Sequence, residues 1–378
     1  MKYVPLATPS LGFRERINVW SAIQKNELSG YSKQFVTKFE EEFAQFVGVK
    51  FALSVNSGTS ALTLAIRSLN LKPGDKVAVS ALTNMATYFP ILQVGAIPIP
   101  VDIDPHTLNI DPSALRNVMK QSIKAIVIVH LYGLPVTMDE ILKIANTSGV
   151  PIIEDCAESL GATYAGIQTG GFGQVGCFSF YANKIITTGE GGMVTTNSEE
   201  AFEQMKSLRS LGFGFKDKFL HESDGYNFRM SNIQAAIGVG QLSSIKQIIS
   251  KKRKIASLYN SYFKDNIALQ LPSEPDLHFS VYWMYALVLK SDSNLISKDV
   301  ISKLSATGIE AREGFIPFSD QTKLISQFEL PASQTPIASS VSPRIFYLPS
   351  GPNISRREIK LVADSVNRIT SSLKQQLK

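Results

Sequence analysis

Between residues 76 and 156 short runs that are apolar throughout alternate with longer stretches whose apolar residues recur at helical spacing. The runs are KVAVS (76–80), AIPIPVDI (96–103), KAIVIVHLYG (124–133) and VPIIEDC (150–156). Successive strand side chains point to opposite faces, so such runs predict strands covered on both sides. The stretches between them predict helices. One lies near 84–94. A second begins with Asp111 as N-cap and Pro112 in the first helical position, where a missing N–H costs nothing. A third begins at Thr137, with Glu140 placed to complete a reciprocal capping box. Strands separated by helices imply a mainly parallel sheet flanked by helices, the α/β class. Ligands of such sheets bind beyond the carboxyl ends of the strands. That rule singles out His130, Asp155 and the neighbourhood of Lys184.

Further on, MVTTN (193–197) predicts a strand and 199–210 a helix. The polar, glycine-containing segment 211–230 predicts a long loop. One long helix is expected from Ser231, capped reciprocally by Gln234, with Ile233, Ile237, Ile245, Ile248 and Ile249 on its buried stripe. VYWMYALVLK (281–290) opens a smaller α+β unit. The expected division is a large domain over 1–250 and a small one over 251–378, the N-terminal segment packing on the small one. No internal repeat or low-complexity tract interrupts this pattern.

Composition narrows the classes. A chain of 378 residues, 44% of them apolar, can bury a large core, and 19% charged residues is ordinary for a folded protein. The net charge of +6 is partly local, in KKRK (251–254) and LKQQLK (373–378). KKRK falls in a helical pattern and reads as a solvated face, so nucleic-acid binding is not expected. Mild basicity suits an anionic small molecule better. Cys156 and Cys177 lie in apolar settings without a CxxC, as expected of a reducing cytoplasm. The N-terminus carries no signal-like apolar stretch, and no run approaches 18 apolar residues, so neither secretion nor a membrane span is expected. The four histidines are scattered without metal-ligand spacing, and no metal is expected.

Three segments carry candidate chemistry. In NSGTSALTLAIRSL (56–69) a strand leads through Ser57, Gly58 and Thr59 into a helix. Unpaired N–H groups and the positive end of the helix dipole would cradle a phosphate there, although an ordinary cap fits the same pattern. In IIEDCAES (152–159) Asp155 ends a buried strand, where a carboxylate requires a cation or strong donors, and a structural ion pair would also satisfy it. In CFSFYANKIITTGEGG (177–192) Ser179 offers a hydroxyl, and Lys184 follows the strand end before a glycine-rich turn. A desolvated lysine is a nucleophile toward aldehydes, whereas a surface lysine before a turn would be inert. GFGQVG (171–176) satisfies GxGxxG, but an extended run follows it, so it predicts a turn and not a dinucleotide site. An anion cradle, a buried carboxylate and a nucleophilic amine together match a phosphorylated aldehyde with a basic ring nitrogen, which is pyridoxal 5′-phosphate (PLP).

These segments, with PGDKV, VHLYG, GYNFRMSNIQAAIGVGQL and YLPSG, resemble the DegT/DnrJ/EryC1/StrS family of sugar aminotransferases, fold-type-I PLP enzymes. The similarity runs from about residue 8 to near 370 and is greatest to perosamine-synthase-like members. It implies that Lys184 joins the cofactor covalently, Asp155 pairs with its ring nitrogen and Glu158 lies beside its ring oxygen. Ser57, Gly58, Thr59 and Ser179 would hold its phosphate. Asn227 would reach that phosphate from a neighbouring subunit, which implies a homodimer with shared active sites. The implied reaction moves an amino group from glutamate to a nucleotide-linked keto-deoxysugar in the cytoplasm, for O-antigen or similar glycan synthesis. A dTDP- or UDP-linked sugar, or a non-catalytic regulator on the same fold, are the alternatives. The 3-dehydratase branch of the family has histidine in place of the lysine, so Lys184 argues against that activity.

Two departures matter. Asn84 in TNMAT stands where the family usually stacks an aromatic ring on the cofactor, and Tyr88, one helical turn later, could partly replace that ring. Asn84 is therefore expected to contact the cofactor directly. In AREGFIPF (311–318) Arg312 and Phe315 match the substrate-side motif in kind, while Glu313 and Gly314 replace its Pro-Phe pair. Arg229 joins Tyr88, Arg312 and Phe315 as a candidate substrate residue.

Overall fold

The computed structural model describes residues 3–213, 220, 221, 223–293 and 295–376, with side chains to residue 371. Parts of the expected loop, 214–219 and 222, and the last two residues of the basic tail, 377 and 378, therefore lie outside the described residues. The central sheet consists of β1 (Phe51–Val55), β2 (Lys76–Ser80), β3 (Ile97–Val101), β4 (Ile123–Val129), β5 (Ile152–Asp155), β6 (Val175–Ser179) and β7 (Gly192–Thr196). Their spatial order is β1-β7-β6-β5-β4-β2-β3. Only β7 runs opposite to its neighbours; the pairs β2–β3, β2–β4, β4–β5 and β5–β6 are parallel. Val77, Val79, Ile126, Val127, Ile128, Ile153 and Val175 are buried, as strands with two covered faces require. A second, antiparallel sheet joins Leu269–Gln270, Tyr285–Leu289, Ile345–Leu348 and Arg312–Glu313 in that order. The N-terminal segment packs there, with Val4 bridged to Ile309 and the Leu6 N–H donating to Glu310.

Sequence order puts every strand-end residue of interest on one edge. The chain leaves β1 into helix Gly58–Ser68, leaves β5 at Asp155 and leaves β6 at Ser179 on the way to Lys184. Because β1, β5 and β6 point the same way, all three exits lie at the carboxyl edge of the sheet.

Three expectations are corrected here. Thr137 begins helix Met138–Ser148 but makes no side-chain cap; its hydroxyl meets the His278 ring at 3.3 Å, and Glu140 is paired with Arg116. The long helix from Ser231 is two helices, Asn232–Ser243 and Ile245–Phe263, separated by Ser244 at φ −108° and ψ 3°. The Ser231–Gln234 capping box is present, but Ile233 and Ile237 are only half-buried. Ala235, Ala236, Gly238 and Val239 face inward instead, and a Cβ at Gly238 would lie 2.6 Å from the Phe39 ring. Finally, KKRK is not uniformly solvated: Lys251 and Lys254 are exposed, whereas Lys252 is buried.

The GFGQVG segment turns directly into β6 around a carboxylate. Glu154, fully buried on β5, accepts the N–H groups of Gly170, Phe172 and Gly173 at 2.8, 2.8 and 2.6 Å. The same carboxylate meets His130 Nε2 at 3.1 Å. His130 Nδ1 accepts the Val136 N–H at 3.0 Å, which puts the ring proton on Nε2. His130, Glu154 and Cys156 form a compact donor cluster, yet the His130 and Glu154 atoms are already committed to these bonds. The glycines therefore serve a structural carboxylate. Each buried polar group left unpaired costs about 1–3 kcal/mol. Glu154→Ala is expected to lower unfolding free energy by about 3 kcal/mol or more, since three amides and one imidazole N–H lose their acceptor. Urea denaturation checks this, and a loss under about 1 kcal/mol would contradict it.

Candidate active site

At the start of helix Gly58–Ser68, Ser57 is extended (φ −162°, ψ 162°) and its Oγ accepts the Ser60 N–H at 3.0 Å. The Ser60 hydroxyl donates to Asn56 Oδ1 at 2.6 Å. The helix start lies directly on β6: a Cβ at Gly58 would sit 2.7 Å from Ser179 Cβ and 3.2 Å from its Oγ. Only glycine permits this approach. It brings the Ser179 hydroxyl beside the unpaired N–H groups of the first turn, where the dipole favours an anion. Thr59 is exposed at the same turn.

Asp155 lies at the end of β5 with little solvent contact. Its Oδ2 accepts the Thr87 hydroxyl at 2.8 Å and its Oδ1 the Ala157 N–H at 3.1 Å. Burial pushes its carboxyl above the ordinary range, while Thr87, Ala157, Lys184 and His130 pull it back. With one donor on each oxygen, the carboxylate keeps acceptor capacity for an additional cationic N–H.

Lys184 stands between an acid and an aromatic ring. Its Nζ is 3.8 Å from Glu158 Oε1 and 3.8 Å from the centroid of the Trp283 ring. Its side chain is 13% exposed. Desolvation lowers the amine's pKa, opposed by the charges of Glu158 and Asp155. Burial also lifts Glu158 to about 7, against the pull of Lys184 and of the Tyr132 N–H, which donates to Glu158 Oε2 at 2.8 Å. Trp283 in turn donates its indole N–H to the Asn183 carbonyl at 2.9 Å. The Tyr132 ring stacks with Phe315 at 5.8 Å and Trp283 at 6.5 Å, forming one aromatic wall. Tyr132 holds φ 53°, a strained left-handed conformation for a bulky residue.

The remaining candidates are more scattered. Asn84 is exposed and caps its own turn, accepting the Ala86 N–H at 2.9 Å. Tyr88 does not replace the missing stacked ring, because it is fully buried, lies 4.1 Å from Phe318 and donates its hydroxyl to the Ser80 carbonyl. Asn227 is exposed. Arg229 is half-buried, with its guanidinium 4.8 Å over the Tyr31 ring. Arg312 is exposed and paired with Glu310; the hydroxyl of Tyr347 feels both Arg312 and Glu158.

The family model for the DegT/DnrJ/EryC1/StrS aminotransferase family matches residues 13–367. The chain belongs to that family. It is 35% identical over 371 residues to the GDP-perosamine synthase of Escherichia coli O157:H7, covering 98% of this chain and all of that one. It is 38% identical to the GDP-perosamine synthase of Caulobacter vibrioides, over 83% of this chain and 85% of that one. Among solved structures, a GDP-4-keto-6-deoxymannose-3-dehydratase variant with bound GDP-perosamine superposes with a TM-score of 0.91 at 29% identity, covering 96% and 100% of the two chains. The aminotransferase of pseudaminic acid biosynthesis from Helicobacter pylori superposes with a TM-score of 0.91 at 28% identity, covering 98% and 100%.

As a family member the chain is a PLP-dependent aminotransferase. The residues present fit that cofactor: a close-approach anion cradle, a buried carboxylate with acceptor capacity, and a desolvated amine between them on one sheet edge. Thr87, Tyr132, Glu154 and Trp283 went unmarked in the sequence. The threonine-rich run 83–87 and the apolar exit LYG after β4 were the available signals; for Trp283, 100 residues from its partner Asn183, there was none. Because Glu158 raises the pKa of Lys184, Glu158→Gln is expected to shift it down. In cofactor-free protein, amine-reagent labelling of Lys184 followed by peptide mass spectrometry should then reach its midpoint at lower pH. An unmoved or higher midpoint would contradict the coupling.

Proposed function

We propose that this aminotransferase moves the amino group of glutamate to the ketone of a GDP-linked keto-deoxysugar. The observation that carries this reading is Lys184 seated desolvated between Glu158 and Trp283, in a chain that aligns with GDP-perosamine synthases across most of its length. In this reading Ser57, Gly58, Thr59 and Ser179 hold the cofactor phosphate, and Asp155 pairs with the ring nitrogen. Glu158 lies near the ring oxygen, and Asn84 contacts the ring face or the phosphate region. When bound, PLP supplies an electron sink that stabilises negative charge on the carbon beside an amine. In its neutral form, which burial favours, Lys184 Nζ would take a proton from the donor's α-carbon and return it to the neighbouring acceptor carbon. The charges of Glu158 and Asp155 oppose that effect of burial. The aromatic wall of Trp283, Tyr132 and Phe315 excludes water on one side. Arg229 and Arg312 are read as substrate-side groups. The product would feed a surface polysaccharide.

A homodimer with shared sites completes the reading. Helix Phe13–Gln24 exposes Phe13, Ile17 and Trp20 at 74, 45 and 63%, an apolar stripe of the kind that meets a partner. Asn227, exposed, would reach the partner's phosphate site. The large and small domains are taken to divide near residue 250, inside helix Ile245–Phe263. Among the described residues no helix is long and apolar enough to cross a membrane, in keeping with a cytoplasmic enzyme using cytoplasmic nucleotide sugars. A UDP- or dTDP-linked substrate is the second reading. It is favoured by 32% identity, over 87% of each chain, to a UDP-N-acetyl-3-dehydro-glucosamine 3-aminotransferase from Acidithiobacillus ferrooxidans.

A panel of GDP-, UDP- and dTDP-linked keto sugars, assayed for glutamate-dependent amino-sugar formation by mass spectrometry, decides between them. GDP-4-keto-6-deoxymannose is expected to be converted at least about tenfold faster than the others, and Lys184→Ala to lose at least about a hundredfold in rate. Preference for a UDP or dTDP sugar would overturn the substrate assignment alone. For the dimer, Trp20→Glu is expected to give monomers in analytical ultracentrifugation; a monomeric wild type would refute shared sites.

A further inference from the structure

Lys252 is the one residue of the KKRK run driven into the interior, at 5% exposure. Its Nζ donates to the Trp283 carbonyl at 2.7 Å and the Ser350 carbonyl at 2.6 Å, with Ser350 Oγ at 3.4 Å. These acceptors saturate its three N–H groups, and none is a carboxylate. Burial alone draws its pKa down to about 7. An apolar side chain would fill this position without burying a cation, so the lysine is kept for what it holds.

What it holds is Trp283. The backbone enters Trp283 from Tyr282, which is left-handed at φ 47°, and continues into strand Tyr285–Leu289. Lys252 fixes the carbonyl of that junction. The other end of the residue is fixed by the indole N–H on Asn183, and the ring between them carries Lys184 Nζ. Lys184, Lys252, Asn183 and Trp283 also line one small cavity of about 20 Å³, together with residues 7–10.

We propose that Lys252 is a positioning residue: by holding the Trp283 backbone it seats the indole ring under Lys184 and so sets where the reactive amine stands. It acts through Trp283 and touches neither cofactor nor substrate. The inference rests on Lys184 as the PLP-capturing amine, and its test uses no sugar, so its failure is separable from failure of the substrate assignment.

The chain has two tryptophans, buried Trp283 and Trp20 on the stripe assigned above to the dimer interface, so emission is read in a Trp20→Phe background, where the component protected from acrylamide belongs to Trp283. In cofactor-free Lys252→Met that protected component is expected to shift red and become quenchable. The rate at which the protein captures added PLP, followed by its visible absorption, is expected to fall at least about tenfold, since a misplacement of about 1 Å can cost about a hundredfold. Trp283→Phe, which keeps a ring but loses the indole N–H, should slow capture similarly. The double variant should be no slower than the slower single, because both act on one element. Lys251→Met, at the exposed neighbour, should leave both readouts at wild type. If Lys252→Met does not accumulate as folded protein, Lys252→Gln gives the same comparison with a weaker donor. Folded Lys252 variants with wild-type Trp283 emission and wild-type capture rate would overturn the proposal. So would a double variant whose losses multiply.

Discussion

Desolvation of a single primary amine is the constraint around which the carboxyl edge of the sheet is built. An ammonium group removed from water tends to give up its proton, and one carboxylate nearby tends to restore it. Lys184 is subject to both effects. Burial drives its pKa down, Glu158 and Asp155 drive it up, and Trp283 offers a ring face in place of water. Glu158 experiences the mirror image, lifted by burial and lowered by the amine. Across a 3.8 Å gap each group thus opposes the shift that burial imposes on the other. That balance is what a proton-moving amine needs near neutral pH.

The surroundings keep the balance in place by removing freedom elsewhere. Gly58 lets a helix start rest on Ser179, so the anion cradle and the strand that precedes Lys184 are fixed to each other. Glu154, the residue before Asp155, is tied to three amides of the 170–173 turn and to the His130 ring, and the His130 backbone N–H donates to the Asp155 carbonyl. The acidic pair on β5 thus divides its work. Glu154 anchors the strand end in the core, while Asp155 faces the site with acceptor capacity to spare. The Tyr132 backbone is strained and adjacent to Glu158, a location where strain is retained because neighbouring contacts over-determine it.

Much of this was legible in the residues. Doubly apolar runs gave the parallel strands because burial on both faces leaves no alternation to misread, and the strand-end rule pointed at Asp155 and Lys184 directly. The Ser231–Gln234 box formed as read because both partners sit within one turn. The same logic failed at Thr137, where His278 and Arg116, distant in sequence, drew away the two side chains that would have capped the helix. Helical periodicity passed over the break at Ser244, since one non-helical residue barely disturbs an apolar stripe. Lys252 looked solvated because charge runs usually are, and only the placement of two carbonyls explains its burial. Tyr88 matched in spacing but turned inward onto Phe318, a contact that sequence separation conceals. Trp283 could not be found at all from the sequence, because its role exists only where the second sheet meets the first.

The most direct test of the central claim is borohydride reduction of the PLP-loaded protein followed by peptide mapping. Among the described residues Lys184 is largely desolvated and Lys252 is buried, and of these two only Lys184 stands beside Glu158 and feels the charge of Asp155. The phosphopyridoxyl mass is predicted on the peptide carrying Lys184 and on no other. Its appearance on Lys252, or its absence from Lys184 while the protein remains active, would contradict the account.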